Sequence, residues 1–125
     1  MTKIAVLAVE DDINIDQRRI SEIVAELGNR AAHNLIGVAL EHLALSLRDT
    51  VRAAEVGDRA QVVTHADRVS RLAWQVGLIS FAGVAVDVAR CAETGNEQGL
   101  AATLARLQRI GNRSLTELWD GAAPG

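Results

Sequence analysis

RAAHNLIGVALEHLALSLRDTVRAAE, residues 30–55, is the stretch on which the fold turns. Ile36, Leu40, Leu43, Leu47, Val51 and Ala54 recur in it at steps of four, three, four, four and three. That spacing follows the turn of an α-helix and gathers the six into one stripe, whereas a strand would bring apolar residues back at every second position. The spacing therefore predicts one long helix. Pro124, the chain's single proline, lies in the C-terminal tail, so nothing in the body forces a helix to break.

Outward from this stretch, glycines divide the chain. Residues 13–27 carry Ile13, Ile20, Ile23, Val24 and Leu27, mostly three or four apart, and stop at Gly28-Asn29. Gly57-Asp58 ends the long helix, and Asp58 is placed to cap a third helix over 59–76, which ends near Gly77. A fourth helix runs over 79–93 with Ser80 as its candidate N-cap and Gly95-Asn96 as its stop. A fifth covers 97–119, with Leu100, Leu104, Leu107, Ile110 and Leu118 on or near one face. Connections this short make neighbouring helices antiparallel. The expected fold class is all-α: an up-down four-helix bundle with a short additional N-terminal helix. One domain spans 13–119, after an N-terminal strand or disordered arm (1–12) and before a tail (120–125).

Composition agrees with helices. Hydrophobic residues make up 49% of the 125, dominated by Ala, Leu and Val, with one Phe, two Trp and no Tyr. Small and medium aliphatics with few aromatics suit helix packing better than a sheet. Thirteen Lys and Arg against sixteen Asp and Glu give a net charge of −3, and no basic stripe interleaves with aromatics, so nucleic acid is not an expected partner. One cysteine, Cys91, rules out an intrachain disulfide framework and suits a reducing compartment. No stretch approaches the ~18 apolar residues of a membrane span, and the N-terminal run is too short and too weakly basic for a signal peptide. The expectation is a soluble, cytoplasmic protein.

KIAVLAVEDD, residues 3–12, offers a rival reading. A short apolar run ending in acids resembles the first strand of a bacterial receiver domain, where such acids hold Mg²⁺. A receiver also needs a strand ending in a phosphoacceptor aspartate near the fiftieth residue. The aspartate there, Asp49, sits inside the helical stripe and is followed by Thr50 and Val51. The later Ser/Thr and Lys strands are missing too. Glu10, Asp11 and Asp12 then read as acids favouring the start of the first helix through its dipole.

Little in the chain reads as local chemistry. His33, His42 and His65 stand three or four residues from no other His or Cys, so no metal site is built from local ligands and no cofactor is expected. Lone helical histidines of this kind are ordinarily surface or boundary residues. Cys91 in its Ala-rich helix reads as a small core residue. The glycines are isolated, so neither a P-loop nor a dinucleotide fingerprint is present. No acid, base and nucleophile cluster together, and an enzyme is not expected.

From about residue 13 to 119 the chain resembles the histidine-containing phosphotransfer (HPt) domains of bacterial phosphorelays. The resemblance centres on VSRLAWQVGLISFAGVAVDVARCAETGN, residues 69–96, preceded by the turn Gly57-Asp58. The family carries A-H-x-L-K-G on the third of five helices, then a small residue about ten positions on. Val69 to Trp74 fall on that motif, and Ser80 and Phe81 on the later small residue and its neighbour. The departures lie where the family's chemistry is. Ser70 stands at the acceptor histidine, Ala73 at the lysine and Trp74 at the glycine. Serine has no imidazole nitrogen to carry a labile phosphoryl group, so the resemblance implies a degenerate member.

Other histidines meet the pattern in part. His65 lies at one margin of the third helix's apolar face, with Arg68 three residues on, although Asp67 stands where an apolar residue is usual. His33 sits in Ala32-His33-x-Leu35-Ile36-Gly37, on the second helix and with Ile36 in place of the lysine. The leading expectation is a non-catalytic binding module of two-component signalling. It docks a response-regulator receiver or a histidine kinase through Arg68, Arg71, Trp74 and Gln75, with Ser70 at the margin of that surface. Two alternatives stand beside it: an active phosphotransfer protein using His65 or His33, and a structural or oligomerising bundle unrelated to signalling. Trp74 and Trp119 read either as covers for the bundle's ends or as interface anchors, which leaves a homodimer open.

Overall fold

The computed structural model describes residues 13–122. They form five α-helices: α1 Gln17–Leu27, α2 Asn29–Glu55, α3 Arg59–Gln75, α4 Ile79–Thr94 and α5 Glu97–Ala122. No strand is formed among the described residues beyond an isolated antiparallel bridge between Ile15 and Leu78, so the all-α reading holds there. The run proposed as an N-terminal strand or arm, residues 1–12, lies outside the described residues. Most of residues 13–119 is helical as expected, and the last helix continues through Asp120 to Ala122, into what the sequence marked as tail.

Side-chain caps fix three helix starts. Asp16 Oδ1 accepts the N–H groups of Arg18 and Arg19 at 3.0 and 3.4 Å, Asp58 Oδ1 accepts from Gln61 at 3.1 Å, and Asn96 Oδ1 accepts from Gly99 at 2.9 Å. Each satisfies a donor that the first turn of a helix leaves unpaired. The cap assigned to Ser80 is corrected. Leu78 is the N-cap of α4 and offers no side-chain bond, while Ser80 lies inside the first turn. Backbone from the other end of the domain takes the role. The Asn14 carbonyl accepts the N–H of Ile79 at 3.0 Å, and Ser80 Oγ instead accepts the N–H of Asn14 at 2.9 Å. Residues 13–16 therefore do not begin the first helix; they lie along the α3–α4 connection and close the start of α4.

Gly77 makes that closure possible. Its φ is +80°, its carbonyl accepts the Asp16 N–H at 2.7 Å, and a Cβ at this position would stand 2.9 Å from the Asp16 carbonyl oxygen. Arg19 Nε adds a bond to the Gln75 carbonyl at 2.9 Å. A left-handed backbone alone costs an L-residue roughly 1–2 kcal/mol, and the close approach adds to it. Gly77→Ala is expected to destabilise the protein by about 2–3 kcal/mol in urea unfolding.

The predicted stripe of α2 faces the core. Ile36, Leu40, Leu43 and Leu47 are buried, and Val51 and Ala54 are partly so. α2 packs against α3, α3 against α4, and α4 against α5; α5 returns to α2, and α1 lies on α2. Val62, Ala66, Val69 and Ala73 of α3 meet Phe81, Ala85, Val88 and Ala92 of α4 within one core, and Leu107 and Ile110 of α5 complete it. α4 carries its seven buried residues on one broad face, while Gly83, Val86 and Arg90 are exposed. Ser114, buried on α5, has a hydroxyl with no hydrogen-bond partner. An unpaired buried hydroxyl costs about 1–3 kcal/mol, so Ser114→Ala is expected to raise the unfolding free energy, by about 1 kcal/mol in the same assay.

Candidate functional site

The α2–α3 hairpin folds back at Gly57-Asp58, and the two helices leave an open groove of about 500 Å³ between their outer edges. His42, Leu45, Ser46 and Asp49 line it from α2; Arg68, Arg71, Leu72 and Gln75 line it from α3. The pairing follows from the fold. Val62, Ala66, Val69 and Ala73 point α3 inward, so the flank carrying 68, 71, 72 and 75 is left beside α2. Arg68, Arg71 and Gln75 are exposed, Leu72 is partly covered, and Ser46 is buried at the floor. Neither Arg68 nor Arg71 forms an ion pair among the described residues, although Asp49 lines the same groove. Two solvated guanidiniums against the single carboxylate of Asp49 give the groove an excess of positive charge, beside the apolar side chains of Leu45 and Leu72.

Three of the four residues expected to dock a partner thus lie together. Trp74 is separate: it is 65% exposed and is not among the groove's lining residues. Ser70, the degenerate acceptor position, is half-buried on α3 and also stands outside the lining. His65 lines a second, shallower groove of about 400 Å³ with Asp49, Arg52, Asp58 and Gln61, and its Nδ1 is buried without a hydrogen-bond partner. His33 is exposed on α2 and belongs to neither groove. Trp119 is exposed on α5. Cys91 is a free, partly buried thiol.

His42 and Asp49 are the members that sequence reasoning passed over. In the sequence Asp49 reads as an aspartate inside a helical stripe and His42 as a lone histidine. The signal that finds them is the turn. Asp49 and Arg68 stand nearly equal distances along the chain from Gly57-Asp58, as do Ser46 and Arg71, so an antiparallel hairpin brings each pair level.

Among the described residues no group of three or more His, Cys, Asp and Glu is placed to hold a metal ion, and no helix is long and apolar enough to cross a membrane. No family model, no curated protein and no solved structure matches the chain.

Proposed function

We propose that the chain is an HPt-like helical module of bacterial two-component signalling that works by binding, without itself carrying the phosphoryl group. On this reading the ring of α2 to α5 is an up-down four-helix bundle of the HPt kind, α1 is the additional helix, and α3 is the helix that bears the acceptor in working members. One observation carries the reading: Arg68 and Arg71 stand together on α3, solvated and without ion pairs among the described residues, in a groove open to a partner. The acidic pocket of a receiver domain is a surface of matching charge, and opposite charge steers such encounters. Ser70 at the acceptor position supports a binding role, because a serine phosphoester is too stable for reversible relay.

Titration calorimetry with the receiver domains and histidine kinases encoded near the chain's own gene tests this, with each receiver free and beryllofluoride-activated. The expected result is saturable binding of at least one receiver, with no acid-labile phosphate on the chain after incubation with the phosphorylated form. Acid-labile label on His65 or His33 would make the protein an active phosphotransfer protein instead. Absence of binding to every receiver and kinase would remove it from signalling.

A further inference from the structure

α2 presents a second seam outside the core, apolar at Ala31, Leu35, Val38, Leu45 and Val56. Ala31, Leu35, Val38, His42, Leu45, Asp49, Arg52 and Val56 recur along it at alternating steps of four and three. Leu35, Val38 and Leu45 are 46%, 49% and 48% exposed, and Val56, at the end of the helix, is 79% exposed. Alternating steps of this kind, here over more than three heptads, are the spacing with which one helix packs along another. α2 buries another face, that of Ile36, Leu40, Leu43 and Leu47, in its own domain, and the seam's apolar side chains stay exposed.

We infer that this seam is covered by α2 of a second copy of the chain, packed antiparallel about a twofold axis midway between His42 and Leu45. The charge pattern is what selects this occupant. Glu41 and Arg48 flank the seam on one side, one on each side of Leu45, and neither takes an ion pair among the described residues. Turning α2 over about that axis sets Glu41 of each copy opposite Arg48 of the other, making two equivalent ion pairs. The same rotation lays Ala31 against Val56, His42 against Leu45 and Val38 against Asp49 of the partner copy, and runs Leu35 along the Arg52 stem. A twofold interface must be complementary to itself in this way. A parallel arrangement would instead set the two copies' Glu41 and Arg48 on opposite sides of the seam, where neither meets an opposite charge of the other copy.

The seam shares His42, Leu45 and Asp49 with the α2–α3 groove, and Asp49, Arg52 and Val56 with the groove that holds His65, so a dimer built this way covers the α2 wall of both. The inference rests on the seam and its charges, and stands whether or not the groove takes a receiver. Sedimentation equilibrium over a wide concentration range is the test. The wild-type protein is expected to pass from monomer to dimer, with a midpoint at roughly micromolar concentration. L45E is expected to weaken association at least about tenfold, because it places a carboxylate of each copy at the axis. E41R and R48E singly are expected to weaken it to a similar degree, and E41R/R48E to restore it, since the exchanged charges again meet. In a C91S background, L45C is expected to form an oxidised dimer and L35C is not, since Leu35 lies far from the axis. Circular dichroism establishes that each variant keeps its helices. A chain that stays monomeric at all concentrations overturns the proposal and leaves the seam to a different partner. So does a dimer unaffected by L45E, or one that the double reversal fails to restore.

Discussion

Phe81→Ala is expected to lower the unfolding free energy by about 3–5 kcal/mol, the range for emptying a large buried aromatic site. That is a large share of the roughly 5–15 kcal/mol that holds a domain of this size together, so the variant unfolds at much lower urea concentration. Phe81 is the largest fully buried side chain and the chain's one phenylalanine. It stands in the first turn of α4, at the level where the N-terminal segment closes that helix, and it is pressed by Gly111 of α5. A Cβ on Gly111 would lie 2.9 Å from Phe81 Cε1 and 3.0 Å from Leu47 Cδ2, so the glycine makes room for the ring. The two positions are therefore coupled. Gly111→Ala gains about 1 kcal/mol of helix propensity and loses about 1–3 kcal/mol to overpacking, a net cost in the wild-type background. In F81A the ring is gone, and the same change fills part of the void and is expected to stabilise by about 1 kcal/mol. Urea unfolding of the four proteins closes the cycle, and additivity within about 0.5 kcal/mol would show that Gly111 is not there for Phe81.

This coupling also marks where the sequence stopped being legible. Ile36, Leu40, Leu43 and Leu47 announced the buried side of α2 through spacing alone, and Asp58 announced the start of α3, because both signals are local. Gly111 reads in the sequence as an unwelcome glycine inside a helix; its reason is a ring 30 residues away along the chain. Ser80 is the same lesson at a helix end. Its type and position suggest a cap, yet Asn14 reaches the α4 N–H groups first, through a contact spanning 66 residues that no local pattern records. The candidate groove was half legible. Arg68, Arg71 and Gln75 share a flank of one helix and could be grouped by periodicity, whereas His42 and Asp49 join them only once α2 and α3 are laid side by side. The outer seam of α2 was hidden for another reason. Leu35, Val38 and Leu45 are apolar, and apolar residues on a helix are assigned to the core until the buried face is known to be filled by others.

On the proposed receiver-docking role, reversing the two groove arginines together, R68E/R71E, is expected to weaken binding of a receiver domain by about 100-fold at low salt. Both side chains are exposed and neither holds an ion pair among the described residues, so the substitution leaves the fold intact and changes stability by no more than about 0.5 kcal/mol. The loss therefore reads out charge at the groove and not unfolding. It falls mainly on the association rate, because two guanidiniums that attract an acidic pocket become two carboxylates that repel it. Salt separates this account from a packing effect. Wild-type affinity is expected to fall steeply as ionic strength rises, while the residual binding of R68E/R71E changes little or improves, since screening acts on attraction and repulsion alike. Ser70→Ala is the matched control on the same helix. Ser70 is outside the groove lining and carries no phosphoryl group in this account, so its hydroxyl can be removed with affinity unchanged. Calorimetry at two salt concentrations on the three proteins decides the matter. Equal affinity of wild type and R68E/R71E would place the partner elsewhere on the molecule. A large loss in S70A would return the chemistry to the position that the serine occupies.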